Sequence, residues 1–406
     1  MPVTPIVPGD CPGTVPLEGT MRTSTTVRRL PRALAALALV GALTAALSGC
    51  SGAASGASAG DKAKAAKATS AAALGGQKGL VAAAEAEGHL NVITLPPSWA
   101  NYGKIIAGFE KKYPKIKITS ENPNGSSADE IAAAKSAGTG SNAPDVFDLG
   151  TAVLDQNLDM MAPYKVANWA DVPAAFKDPS GKWIYDYTGL MSIGYDSSKV
   201  PAPKSLADLL GSAYKGKVAI KGDPTAANEA ASAVYLAALQ SGGQASDIQP
   251  GIDFFGKLKK AGNFISVLPT QATVNSGQTP VVLQWSYNNL AWGPAGGSGT
   301  NPNWKTLVLP GTALGSYYNQ AINKNAPNPA AARLWEEWIY TPEVQNLYLA
   351  AGAYPAMLGA MQQKNTVDTA VLKTVGTPPS SFVQLTSDQA AAAAALLKSK
   401  WSQTVG

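Results

Sequence analysis

Histidine and cysteine, the usual carriers of metal and nucleophilic chemistry, are almost absent. The 406 residues contain one histidine, His89, and two cysteines, Cys11 and Cys50. A zinc site, a Ser-His-Asp triad or a Cys-His dyad would each have to use His89 or Cys50. Two cysteines, one of them near the N-terminus, give no disulfide framework. Paired carboxylates could do acid–base work without histidine, as in a secreted hydrolase. No nucleophile elbow or metal cluster is visible, however. The expectation is therefore a binding protein with no catalytic residue, no metal and no cofactor.

The residue types that remain are aromatics, hydroxyls and amides, and they concentrate after strand-like runs. In α/β folds ligands meet such loops and the starts of the following helices. The first such loop holds Ser98, Trp99 and Tyr102, and the second holds Ser126 and Ser127. Further along come Asp223, Thr225 and Asn228, then Trp285 and Tyr287, then Tyr317 and Tyr318. Aromatic rings offer rigid apolar area and can hold a cation over a face. Hydroxyls and free amides at helix starts give directional hydrogen bonds, especially to anions. Plainer roles exist for several: Ser126, Ser127 and Thr225 as helix caps, Asp223-Pro224 as a turn opener, Trp285 and Tyr318 as core. Asp145 and Asp148 are expected to shape a strand-to-loop turn, and His89 precedes its strand and is not expected at a ligand.

These residues sit on a regular alternation of elements. Leu80–Glu87 reads as a helix ended by Gly88, and Leu90–Leu95 as a strand stopped by Pro96-Pro97. Tyr102–Tyr113 is amphipathic, with Ile105, Ile106, Phe109 and Tyr113 on one side and Pro114 at its end. Strands follow at Ile116–Thr119 and Ala143–Leu149, with a helix at Asp129–Ser136 between them. The rhythm continues through the strands Gly189–Tyr195, Lys217–Ile220, Val281–Trp285 and Thr306–Leu309. The helices Ser205–Leu210, Ala227–Gln240, Ile252–Ala261, Ala330–Tyr340, Val344–Ala350 and Ala390–Trp401 interleave with them and close the chain. Such alternation predicts an α/β body with mainly parallel sheet.

The first fifty residues read as an address. Met21 is the better start, followed by a basic stretch with Arg22, Arg28, Arg29 and Arg32 and the apolar run Ala33–Ala46. That run is short for a spanning helix, which needs about 20 residues, and suits a cleaved signal peptide. Leu47-Ser48-Gly49-Cys50 resembles the bacterial lipobox, which implies that Cys50 is lipidated and becomes the N-terminus. Four Arg and two acids precede it, so the 32 Lys+Arg and 27 Asp+Glu of the whole fall to 28 and 25. A charge near +3 gives no argument for nucleic acid. The stretch 51–77, mostly Ala, Gly, Ser and Lys, is expected to be a flexible tether.

The order of segments resembles the extracellular solute-binding proteins of ABC importers, of the type II branch that includes ferric, thiamine, phosphonate and spermidine/putrescine binders. Phe109-Glu110-Lys111-Lys112-Tyr113-Pro114, Ala143-Pro144-Asp145-Val146-Phe147, Met161-Ala162-Pro163-Tyr164, Tyr214–Ala219 before Gly222-Asp223-Pro224, Ala321–Pro327 and Trp335–Asn346 carry the resemblance. It implies a two-lobed periplasmic-binding-protein fold, with two mainly parallel sheets joined by a two-strand hinge. Lobe 1 is expected at 88–192 and 314–360, lobe 2 at 193–313, and a C-terminal helical segment at 361–406. It further implies a monomer, lipid-anchored on the outer face of the cell membrane, that closes on a small-molecule solute and docks on ABC permease and ATPase subunits. The family's ferric tyrosine pair is represented here by Tyr287 alone, and its histidine after the first strand is missing, which disfavours iron. A small polar organic solute ranks first, with polyamine and phosphonate as the specific classes. The aromatics of polyamine binders are present, while a carboxylate expected near the return crossover is replaced by Tyr318-Asn319.

Overall fold

A computed structural model describes residues 56–297, 299–379 and 381–406. The leader, Met21, Cys11 and Cys50 lie outside the described residues. The elements run, in chain order, α1 (Ala59–Lys67), α2 (Gly76–Glu87), β1 (His89–Ile93), α3 (Tyr102–Lys112), β2 (Lys117–Glu121), α4 (Ser127–Ala137), β3 (Val146–Gly150), α5 (Thr151–Asp155), β4 (Met161–Ala162) and β5 (Ile184–Asp196). There follow β6 (Val218–Ile220), α6 (Asn228–Gln240), α7 (Gln249–Lys260), α8 (Gln271–Asn275), β7 (Val281–Trp285), α9 (Ser286–Trp292) and β8 (Trp304–Leu307). The chain closes with β9 (Gly315–Asn323), α10 (Pro329–Ile339), α11 (Pro342–Ala350), β10 (Tyr354–Pro355), α12 (Leu358–Gln363), α13 (Thr369–Val375) and α14 (Ser387–Thr404).

Local chemistry sets most boundaries. Gly88 ends α2 in the left-handed conformation. Ser126 and Asp129 form a reciprocal capping box on α4. Pro329 and Pro342 stand in the first turns of α10 and α11, where a missing N–H costs nothing.

The sheets are mixed, not mainly parallel. Among the named strands, β1 with β2 and β6 with β7 pair in parallel, and the other pairings are antiparallel. The reason lies in β5. Its first half pairs with β9 and β10, and its second half with β7 and β8. One long strand thus runs from one sheet into the next, and β9 returns beside it, between β5 and β3. Antiparallel neighbours follow from such a pair of crossings.

The expected tether is shorter than its composition suggests. Ala59–Lys67 is helical, Ala65 is buried in the main core, and Ala68 is buried too. Small side chains let this segment lie close to α10. Nearby, the Glu87 carboxylate accepts hydrogen bonds from Ala330 N (2.9 Å) and Ala331 N (2.8 Å), capping α10 from another helix. Burial raises its pKa, which those two backbone bonds oppose. Replacing Glu87 by Ala should cost about 1–2 kcal/mol in denaturant unfolding. A loss under a few tenths would mean that water replaces the cap.

Candidate functional site

Four aromatic rings from four elements meet where β5 and β9 cross. Trp99 comes from the loop after β1, Tyr187 from β5, Tyr287 from the first turn of α9 and Tyr318 from β9. Trp99 meets Tyr287 at 5.2 Å and Tyr318 at 5.8 Å between ring centroids. Tyr187 meets the same two at 5.8 and 5.6 Å, so the rings close a circuit. The Trp99 indole N–H donates to Tyr187 OH at 2.6 Å. Tyr187 also packs on Tyr348 at 4.7 Å, which reaches Tyr102 at 5.8 Å.

The backbone pays attention to where Trp99 points. Ala100 and Asn101 have φ of 44° and 64°, a left-handed conformation that costs a Cβ-bearing residue about 1 kcal/mol or more. The Asn101 side chain anchors this turn by donating to Leu347 O at 2.7 Å. Opposite, Gly189 leaves room for Tyr287: a Cβ there would lie 2.4 Å from the ring.

Beneath the rings lies a buried acidic network. Tyr102 OH (3.2 Å) and Gln320 Nε2 (3.0 Å) donate to Asp186 Oδ2, and Tyr187 OH faces Asp148 Oδ2 at 3.5 Å. Glu130 accepts from Thr94 Oγ1 (2.6 Å) and Asp148 N (2.9 Å). Glu229 accepts from Trp285 N (2.9 Å) and Asn288 Nδ2 (3.1 Å). Burial pushes all four carboxyls above the ordinary range; for Asp148 the neighbouring Asp186 and Glu130 charges push it further. Asp148 Oδ1, Tyr287 OH and Trp285 Nε1 are buried without a hydrogen-bond partner. Buried polar atoms are normally paired, and these three are exceptions, as are Gln284 Oε1, Trp304 Nε1, Asn319 Oδ1 and Glu336 Oε1.

A family model described as bacterial extracellular solute-binding protein matches residues 143–377. The chain belongs to this family of extracellular solute-binding proteins. No curated protein matches it. Among solved structures it is similar to a periplasmic thiamin-binding protein (17% identity, TM-score 0.60, covering 78% of this chain and 96% of that one). It is also similar to a GABA receptor (17%, 0.57, 79% and 98%) and to the apo ferric ion-binding protein A of Pasteurella haemolytica (21%, 0.55, 77% and 96%). These likenesses show the two-lobed α/β fold of type II periplasmic binding proteins. Members of the family are binding proteins of ABC transporters, not enzymes.

Within this solute-binding protein the sequence-derived candidates part into groups. Trp99, Tyr102, Tyr287 and Tyr318 come together, with Trp285 buried directly before Tyr287. Tyr317 turns to the other face of β9 and stacks on Tyr185 at 4.6 Å, beside Phe176. Ser98 is exposed on the Trp99 loop. Ser126 caps α4, and Ser127 Oγ accepts from Gly150 N at 3.0 Å. Asp223 Oδ1 accepts from Thr225 N at 2.8 Å, forming a turn, and Asn228 is exposed at the start of α6. Sequence reasoning passed over Tyr187, Asp186, Glu130 and Glu229. It also assigned Asp148 to a turn, whereas its carboxyl lies in the network under the rings.

Proposed function

We propose that the protein is the lipid-anchored, extracellular capture subunit of an ABC importer, closing two lobes on a small polar organic solute and handing it to the permease. The observation that carries this reading is the ring circuit: one indole and three phenols from separate elements converge beside buried polar atoms that lack partners. Contacts to both lobes at once would drive hinge closure, since only differential contact can shift such an equilibrium. Leu47-Ser48-Gly49-Cys50 supports lipidation at Cys50, which would hold the body at the membrane. The proposed lobes are 88–192 with 314–360, and 193–313, acting as a monomer without nucleic acid. Polyamines and phosphonates are the specific solute classes proposed from the family resemblance.

The test is thermal unfolding of the soluble chain from Ser51 against amines, phosphonates, amino acids, sugars, thiamine and ferric ion. A ligand at about 100 times its Kd adds about 2.7 kcal/mol. Trp99→Ala should then weaken that ligand by about 2 kcal/mol or more, as truncation of a buried aromatic anchor does. A folded protein that no solute shifts, or a solute whose affinity ignores Trp99→Ala, would overturn this site.

A further inference from the structure

We infer that the captured solute carries a primary ammonium group, seated against Asp148 Oδ1 and the Tyr287 hydroxyl with the four rings around it. The inference rests on the capture site proposed above. Three observations favour a cation over an anion. Glu130, Asp148, Asp186 and Glu229 are all buried around the rings. The three ion pairs among the described residues, Lys115–Glu85, Lys324–Asp159 and Lys364–Asp171, involve none of them. The basic group that acts on this set is Lys221, near Glu229; it donates to Pro269 O at 2.9 Å and lies over Trp292 at 4.8 Å. An incoming ammonium would favour the ionised form of these carboxyls, whereas an incoming anion would gain nothing from them and push them further towards the protonated form.

The start of α4 is already occupied by an acid of its own. Asp129 places its own carboxylate at the N-terminus of α4, accepting from Ser126 N at 2.7 Å and Ser126 Oγ at 2.8 Å. Aromatic faces attract a cation of any kind, but Asp148 Oδ1 and Tyr287 OH add something specific. Both can accept, and a quaternary nitrogen has no N–H to give them. A primary ammonium has three donors in a small volume.

The test uses methylammonium, putrescine, tetramethylammonium, acetate and methylphosphonate at matched ionic strength, read by calorimetry on the soluble chain. Methylammonium and putrescine should bind, and tetramethylammonium should be about tenfold or more weaker, the worth of one lost charge-assisted hydrogen bond. Asp148→Asn and, separately, Tyr287→Phe should each weaken the amines by about tenfold; the second removes one hydroxyl and leaves the ring in place. Equal binding of tetramethylammonium would overturn the N–H assignment. Binding of acetate, methylphosphonate or a neutral solute instead of the amines, lost on Trp99→Ala, would overturn the ammonium and keep the capture site. If nothing binds, here or in the broader solute panel, both readings fall.

Discussion

The ligand-free protein should lose stability as pH rises from 5 to 8, by several kcal/mol in urea unfolding. The cause is buried carboxyl groups without cationic partners. Asp145 is the clearest. It is fully buried, and its pKa is pushed up to about 7 by loss of solvent, although Asn91 N, Asn328 N and Asn328 Nδ2 all donate to it and pull the other way. Glu87 is the acidic neighbour that raises it further. An unfolded aspartate titrates near 3.8. The folded form therefore keeps a proton that the unfolded chain has lost between these two values. Stability from this group is complete below about 4, declines through the window, and is gone above about 7. A span of about three pKa units corresponds to about 4 kcal/mol at most.

Burial pushes Asp148, Asp186, Glu130 and Glu336 in the same direction, and neighbouring acids add to it at Asp148 (Asp186 and Glu130), at Glu130 (Asp129) and at Glu336 (Asp186 and Glu337). The groups pulled the opposite way, Asp129, Asp178, Asp196 and Asp208, lie below their ordinary 3.8 and so titrate under pH 5. They leave the window clean. Asp145→Asn should flatten the slope by up to about 1.4 kcal/mol per pH unit, the worth of one proton. Stability that is flat or rises from pH 5 to 8 would show that these carboxylates remain ionised inside the fold.

How much of this site could be read from the sequence follows from strand geometry. Trp99 and Tyr287 were legible because each follows a strand with a clean hydrophobic run, Leu90–Leu95 and Val281–Trp285. Tyr317-Tyr318 looked like a pair, but neighbours on a strand point to opposite faces, so Tyr318 alone joins the circuit. Tyr187 had the reverse problem. Tyr185 and Tyr187 should share a face, yet the β5–β9 register shifts between Tyr185 and Thr188. That irregularity lets Tyr185 stack on Tyr317 while Tyr187 stacks on Tyr318. A bulge that redirects one side chain leaves no periodic signal. The acids were missed because their meaning is tertiary: Asp148, Asp186 and Glu130 come from β3, β5 and α4, and only the crossing of β5 and β9 gathers them. The same crossing explains why a strand–helix alternation that suggested parallel sheet folds into mixed sheets.

Arg333 shows the same limit and carries the other large effect. Replacing it by alanine should cost about 3–5 kcal/mol, because it leaves three carbonyls without their charge-assisted donor at about 1–3 kcal/mol each. The residue is 1% exposed. Nε donates to Ala68 O and Nη2 to Ala66 O, both at 2.7 Å, while Nη1 donates to Pro329 O at 2.9 Å. Tyr164 lies under it at 5.6 Å. Burial lowers its pKa to about 10, so it stays charged at neutral pH. Ala66 and Ala68 stand at the C-terminal end of α1, where carbonyls lack helical partners and a cation is favourable. One side chain, some 265 residues away in sequence, thus caps α1 and fastens it to α10. Nothing in an Ala-, Gly- and Lys-rich stretch announces such a partner, which is why its composition reads as tether. Arg333→Lys should recover only part of the loss, because an ammonium cannot present the planar fork that reaches three carbonyls. Proteolysis should report the same event locally, with new cleavage between Ala59 and Gly75 in the alanine variant while the remaining body stays resistant. A loss under about 1 kcal/mol, or full recovery by lysine, would mean that α1 is held by its buried alanines and not by this charge.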